Sequence, residues 1–149
     1  MDMGLDLTAV EAGILATLMP LTESHGVATL KGYEGELSSV EDLKAALPRL
    51  PGVLVTYVGS RLLPDEGGGG RLERMTWTAL VAAKSLRSKA EAKEGGYGLL
   101  DGVKKALWGE IVAPGLTPAE LTRREVVFQD SGLAVYAATF EIEQRVSPY

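Results

Sequence analysis

Apolar positions along the chain change period several times, and each change marks an element. Val10, Ile14, Leu15 and Leu18 recur at near-helical spacing and predict a helix from Thr8 to Met19, ended by Pro20. Thr8-Ala9-Val10-Glu11 has the form of a capping box at its start, with the Thr hydroxyl accepting a free backbone N–H. A short strand is expected over Val27–Lys31. Ser39 is placed to cap a second helix, Val40 to Leu47, which Pro48 stops. Gly52 to Ser60 is rich in β-formers and reads as a buried strand. In the next strand, Arg71 to Ser85, Met75, Trp77, Ala79 and Val81 alternate with more polar Thr76 and Thr78.

Between these strands runs Arg61 to Gly70, whose glycines Gly67–Gly70 maximise backbone entropy and predict a long hairpin loop. A charged loop is expected over Arg87–Gly96. A third helix follows, Tyr97 to Trp108, with Leu100, Val103 and Leu107 on one face and Gly109 as its cap. Pro114 to Pro118 reads as irregular. Strands Arg123–Gln129 and Leu133–Arg145, joined by Asp130-Ser131-Gly132, close the chain as a hairpin. In the last strand Tyr136, Phe140 and Ile142 share one face, while Glu141, Glu143 and Arg145 line the other. The order predicts a single α+β domain over residues 1–149, with a mainly antiparallel sheet of about four to five strands and helices packed on one face.

Composition narrows the function classes. A net charge of −5 opposes phosphate binding, so nucleic acid is expected only to pass nearby, as DNA does through an acidic conduit. No cysteine is present, which excludes disulfides and thiolate chemistry. Apolar runs fall short of the roughly 20 residues that span a bilayer. The acidic start Met1-Asp2-Met3-Gly4-Leu5-Asp6 lacks a signal peptide's basic region, so synthesis and residence in a cytoplasm are expected, with no membrane partner. Asparagine is absent and only Gln129 and Gln144 represent glutamine, a depletion found in hyperthermophile proteins; GC-rich coding is the alternative, against which seven lysines stand.

Catalytic constellations are weak. His25 is the single histidine, in Thr22-Glu23-Ser24-His25-Gly26, and its neighbours Glu23 and Ser24 are too close in sequence for a triad without unusual loop geometry. One histidine with scattered carboxylates makes a poor zinc site, so no metal is expected. Gly95-Gly96-Tyr97-Gly98 fails the dinucleotide-loop spacing, because Asp101 stands where the third glycine is needed. Gly67–Gly70 has no following Gly-Lys-Ser/Thr. No cofactor is therefore expected. Carboxylate pairs Glu34/Glu36, Glu41/Asp42 and Asp65/Glu66 lie where solubility or a helix dipole explains them. Arg123-Arg124 and the basic stretch Lys84–Lys93 read as solvated charge. The expectation is that the chain is not an enzyme.

Several segments together resemble small tail proteins of Mu-like phages and prophages. They are Val53-Leu54-Val55-Thr56-Tyr57-Val58-Gly59-Ser60-Arg61, the strand with Trp77 running into Val81-Ala82-Ala83-Lys84-Ser85-Leu86-Arg87, Gly96-Tyr97-Gly98-Leu99-Leu100-Asp101-Gly102-Val103, Ala106-Leu107-Trp108-Gly109, and Val135-Tyr136-Ala137-Ala138-Thr139-Phe140. Order and spacing carry the resemblance, from about residue 50 onward. It implies a structural tail-completion protein of terminator type: a ring, commonly a hexamer, on the tail tube and sheath that presents a surface to head-completion or neck proteins. The implied location is the tail of a virion assembled in a host cytoplasm.

Strand and loop position then nominate Arg61, Asp65, Glu66, Arg71, Arg74, Glu141, Glu143 and Arg145 for contact with a neighbour or the tube. Rival readings are a neck or head-completion connector, a small-ligand-binding regulatory α+β domain, and an enzyme built on Glu23 and His25. Binding to tube or portal ring, or a pocket with convergent polar groups, separates them.

Overall fold

The structure is a computed structural model that describes residues 4–35, 39–64, 70–84, 89–129 and 132–147, with the side chains of 89–94 left aside. The chain order is α1 (Leu7–Leu18), α2 (Leu21–Ser24), β1 (Thr29–Gly32), α3 (Val40–Ala46), β2 (Gly52–Leu62), β3 (Arg71–Lys84), α4 (Lys89–Leu107), β4 (Glu120–Gln129) and β5 (Leu133–Val146). The strands form one five-stranded sheet in the order β1-β2-β3-β5-β4. Pairings β2–β3, β3–β5 and β4–β5 are antiparallel, and β1–β2 is parallel. The α+β class and strand number are as the sequence leads one to expect.

Alternation along the strands sorts side chains to two faces. Val53 and Val55 of β2, Met75, Trp77, Ala79 and Val81 of β3, and Tyr136, Ala138, Phe140 and Ile142 of β5 face the main core. Val10, Ile14 and Leu18 of α1 and Leu99, Leu100, Val103 and Leu107 of α4 close it. The opposite face is divided. At one end Leu54, Leu80, Ala82, Val135 and Ala137 pack under Leu43 of α3 and Leu47, which caps it. At the other end it carries Thr76, Arg74, Glu141 and Glu143, and among the described residues no helix packs there. The expectation of one helical face thus holds for α1 and α4, while α3 covers half of the second face.

Several boundaries differ from the sequence reading for local reasons. Asp6, not Thr8, caps α1: its carboxylate accepts the Ala9 N–H at 2.8 Å, which leaves Thr8 inside the helix. Ser39 caps α3 as expected, accepting from the Asp42 N–H. Pro20 opens the one-turn α2 as well as following α1. The charged segment expected as a loop is helical from Lys89, so α4 runs through Gly95 and Gly96. Lys, Ala and Glu over 89–94 are strong helix formers and outweigh the two glycines. Gly109 follows α4 with φ +84, the left-handed conformation of a helix stop. β4 begins at Glu120, earlier than Arg123. The expected turn residues Asp130 and Ser131, the acidic pair Asp65/Glu66 and Gly67–Gly69 lie outside the described residues.

Two further features bind the ends of the sheet. β2 slips register between Tyr57 and Gly59, so Val58 is an extra residue and side-chain direction reverses beyond it. Gln144, buried on β5, holds the N-terminal segment: its Oε1 accepts the Leu5 N–H at 2.9 Å, and its Nε2 donates to the Leu5 carbonyl and to Glu73 Oε1. Among the described residues, no helix is long and apolar enough to cross a membrane.

Candidate functional site

The uncovered half of the second sheet face is built by the far ends of β2, β3 and β5. Cross-strand pairing sets Arg61 beside Arg74, and Arg74 beside Glu143. Arg74 Nε donates to Glu143 Oε2 at 2.6 Å and lies 3.3 Å from Glu141 Oε2. The Glu143 hydrogen bond and charge, helped by Glu141, hold the guanidinium pKa above its ordinary value, so Arg74 is a fixed cation. Two carboxylates flank one arginine, and Arg61 adds a second positive charge at the edge. Toward α3 the face continues through Thr78 and Thr139, whose hydroxyls approach to 3.3 Å.

Hollows open on both sides of Arg74. One of about 420 Å³ is lined by Val58, Gly59, Ser60, Arg61, Thr76 and Glu141. The other, about 340 Å³, is lined by Thr117, Pro118, Glu120, Glu141 and Glu143. The irregular Pro114–Pro118 segment supplies its wall. There, Thr117 N–H donates to the Glu143 carbonyl at 2.9 Å, and Glu143 N–H donates to Thr117 Oγ1. This surface is polar and backed by the paired strands β2, β3 and β5.

The nominated residues separate into groups. Arg61, Arg74, Glu141 and Glu143 share this surface, and Arg145 continues the same face of β5. Arg71 points to the opposite face and is occupied within its own hairpin, donating to the Leu63 carbonyl at 2.8 Å and the Leu62 carbonyl at 3.3 Å. Asp65 and Glu66 lie outside the described residues. Glu120 went unnoticed in the sequence because β4 was expected to start after it.

A second concave surface lies between α4 and β4, about 560 Å³, lined by Tyr97, Leu100, Asp101, Arg124, Val126 and Tyr136 among others. Arg124 Nη1 pairs with Asp101 Oδ1 at 2.7 Å, and Arg123 with Glu125. The Arg124 hydrogen bond holds the Asp101 carboxyl below its ordinary range, with Lys104 and Lys105 adding to it. Ser24 Oγ and His25 Nδ1 are 2.7 Å apart at an exposed position, and the imidazole packs on Gly102.

Comparison with known proteins now bears on this architecture. The model of the family described as Bacteriophage Mu, Gp37 matches residues 6–145, from the Asp6 cap to the penultimate residue of β5. The chain belongs to that family. Within the Gp37 family match fall the Arg74 cluster, Gln144 and both sheet edges. Among solved structures, a chain from the virion of a native gene transfer agent particle is similar in fold, with a TM-score of 0.59 and 15% identity. The match covers 93% of this chain and 96% of that one, so the fold is shared along nearly the whole of both. Among curated proteins, no sequence matches significantly.

Proposed function

We propose that this Gp37-family protein is a non-catalytic structural component of a phage-type virion, a tail terminator. In this role copies form a ring that caps the tail tube and sheath and joins them to head-completion proteins. The observation that carries this reading is the family match along nearly the whole chain. The end-to-end fold similarity to a virion chain supports it. The uncovered polar half-face is compatible with it: its paired charges suit the polar rim of a contact surface.

In this reading the Arg61–Arg74–Glu141–Glu143 surface meets a neighbouring copy or the tube, and the lumen passes DNA without gripping it. The ring is a hexamer. Assembly takes place in the host cytoplasm, before the tail joins the head.

The experiment is tube growth in the presence of the purified protein, followed by electron microscopy. A terminator binds tube ends and stops elongation at substoichiometric amounts. Binding to portal or head-completion rings with no effect on tube length would replace the terminator role by that of a neck protein.

A further inference from the structure

The sheet has two free edges, and they differ. On one side β1 pairs only with Gly52–Val55, so among the described residues no strand lies outside β2 from Thr56 to Leu62. On the other side, among the described residues, β4, Glu120–Gln129, has no strand beyond it. Both edges leave backbone donors and acceptors available for a further strand. We infer that they are the two halves of one interface: the outer edge of β2 beyond β1, Thr56–Arg61, in one copy takes the first half of β4, Glu120–Glu125, of the next copy. This assignment rests on the ring-forming role proposed above.

Strand direction supports the match. The antiparallel pairings make β2 and β5 run one way and β3 and β4 the other. A neighbour in the same orientation therefore brings its β4 antiparallel to β2, and alternation continues through the junction. Two different edges joined in this way form a heterologous contact, which repeats from copy to copy and gives a ring where the rotation between neighbours closes.

Side-chain direction selects a register. Tyr57 and Ser60 point to the helix-covered face, being opposite Trp77 and Met75, while Thr56 and Arg61 point to the open face. On β4, Leu121 and Arg124 lie opposite Phe140 and Ala138 on the helix-covered face, and Glu120 and Glu125 lie on the open face. Setting Arg61 against Glu120 of the neighbour also sets Ser60 against Leu121, Tyr57 against Arg124 and Thr56 against Glu125. Every pair then matches in face, and a one-residue slip would destroy all the matches. Both strands carry a bulge inside this interval, since register also shifts between Leu121 and Arg123 on β4. The two irregularities coincide. Val58, 54% exposed, becomes covered. Opposite charges meet at one end and a guanidinium meets an aromatic ring at the other. The same edge charges discourage pairing with unrelated strands.

The chain contains no cysteine, which makes a clean test possible. Directly opposed residues on antiparallel strands have Cα atoms about 4.5–5.5 Å apart, within disulfide reach. A chain carrying both Arg61→Cys and Glu120→Cys, oxidised after assembly, is expected to give a covalent ladder up to the ring's copy number. Either single variant should give no ladder beyond a dimer. In parallel, Arg61→Glu or Glu120→Arg should each weaken assembly severalfold, and the two together should restore it. A wild-type protein that forms rings while the paired cysteines give no ladder and charge reversal changes nothing would overturn the edge assignment and leave the ring reading intact. A wild-type protein that never assembles, with or without tubes, would overturn the ring reading itself.

Discussion

Gly96 of α4 lies directly on the Tyr136 ring of β5, so close that a Cβ placed there would stand 2.9 Å from Tyr136 Cδ2 and overlap the ring edge. The tyrosine is held from both sides: its hydroxyl accepts from Gln129 Nε2 at 2.7 Å, and Tyr97 packs edge-on with ring centroids 5.6 Å apart. The helix approaches the sheet because this position has no side chain. Gly96→Ala gains about 1 kcal/mol of helix propensity and pays roughly 1–3 kcal/mol of overpacking. Gly98, with nothing within 4 Å of such a Cβ, isolates the first effect. Denaturant unfolding should therefore show Gly98→Ala stabilised and Gly96→Ala destabilised; equal shifts would contradict the packing.

The buried Gln144 amide joins the chain's beginning to its last strand. Gln144→Leu removes the partners of the Leu5 N–H and carbonyl and of one Glu73 oxygen. A cost of about 1–3 kcal/mol is expected for the orphaned groups. Amide exchange at Leu5 should accelerate by more than exchange in β3. Unchanged protection at Leu5 would show that the segment is held by other contacts.

Asp101 and Arg124 tie α4 to edge strand β4, and they give a pH signature. The folded state lowers the Asp101 pKa through the Arg124 hydrogen bond. A depressed carboxyl stabilises the fold above its unfolded value of about 3.9, and that contribution is lost as pH falls through the lower folded value. Stability of wild type minus Asp101→Asn should thus be positive and flat at neutral pH and shrink to nothing in acid. The pair is exposed, so the effect should be small and should weaken in high salt. A difference that grows on acidification would refute it.

Arg74 balances Glu141 and Glu143, and Arg74→Glu would set three carboxylates together on the open face. The monomer should remain folded by circular dichroism because the site is half-buried on the sheet surface and lies outside the apolar core. Ring formation or tube capping should fall severalfold, with partial recovery at high salt as repulsion is screened. Normal capping by this variant would remove the open face from the contact surface.

Much of this architecture was legible in the sequence because burial imposes period. Alternation in Met75–Val81 and in Tyr136–Ile142 reports one packed face, and Ser39 reports a helix start through its hydroxyl. Other features had no local signal. The start of α4 was hidden because two glycines look like a loop until Tyr136 explains one of them. The parallel β1–β2 pair depends on a crossover that no short window contains. Leu80, Ala82, Val135 and Ala137 are buried on the second face by α3, so that face is polar only in its outer half. The candidate surface was half readable: Glu141 and Glu143 stood out as polar residues in an apolar strand. Their convergence on Arg74, and the placement of Glu120 on a free edge, required strand register.

In the role proposed above, copies of this chain close into a ring on a tail tube. The most direct measurement is molar mass by light scattering across a concentration series, with and without short tail tubes. A species of six copies, or a monomer that becomes such a ring only on tubes, is the predicted result. A monomer at every concentration, indifferent to tubes, would contradict the account.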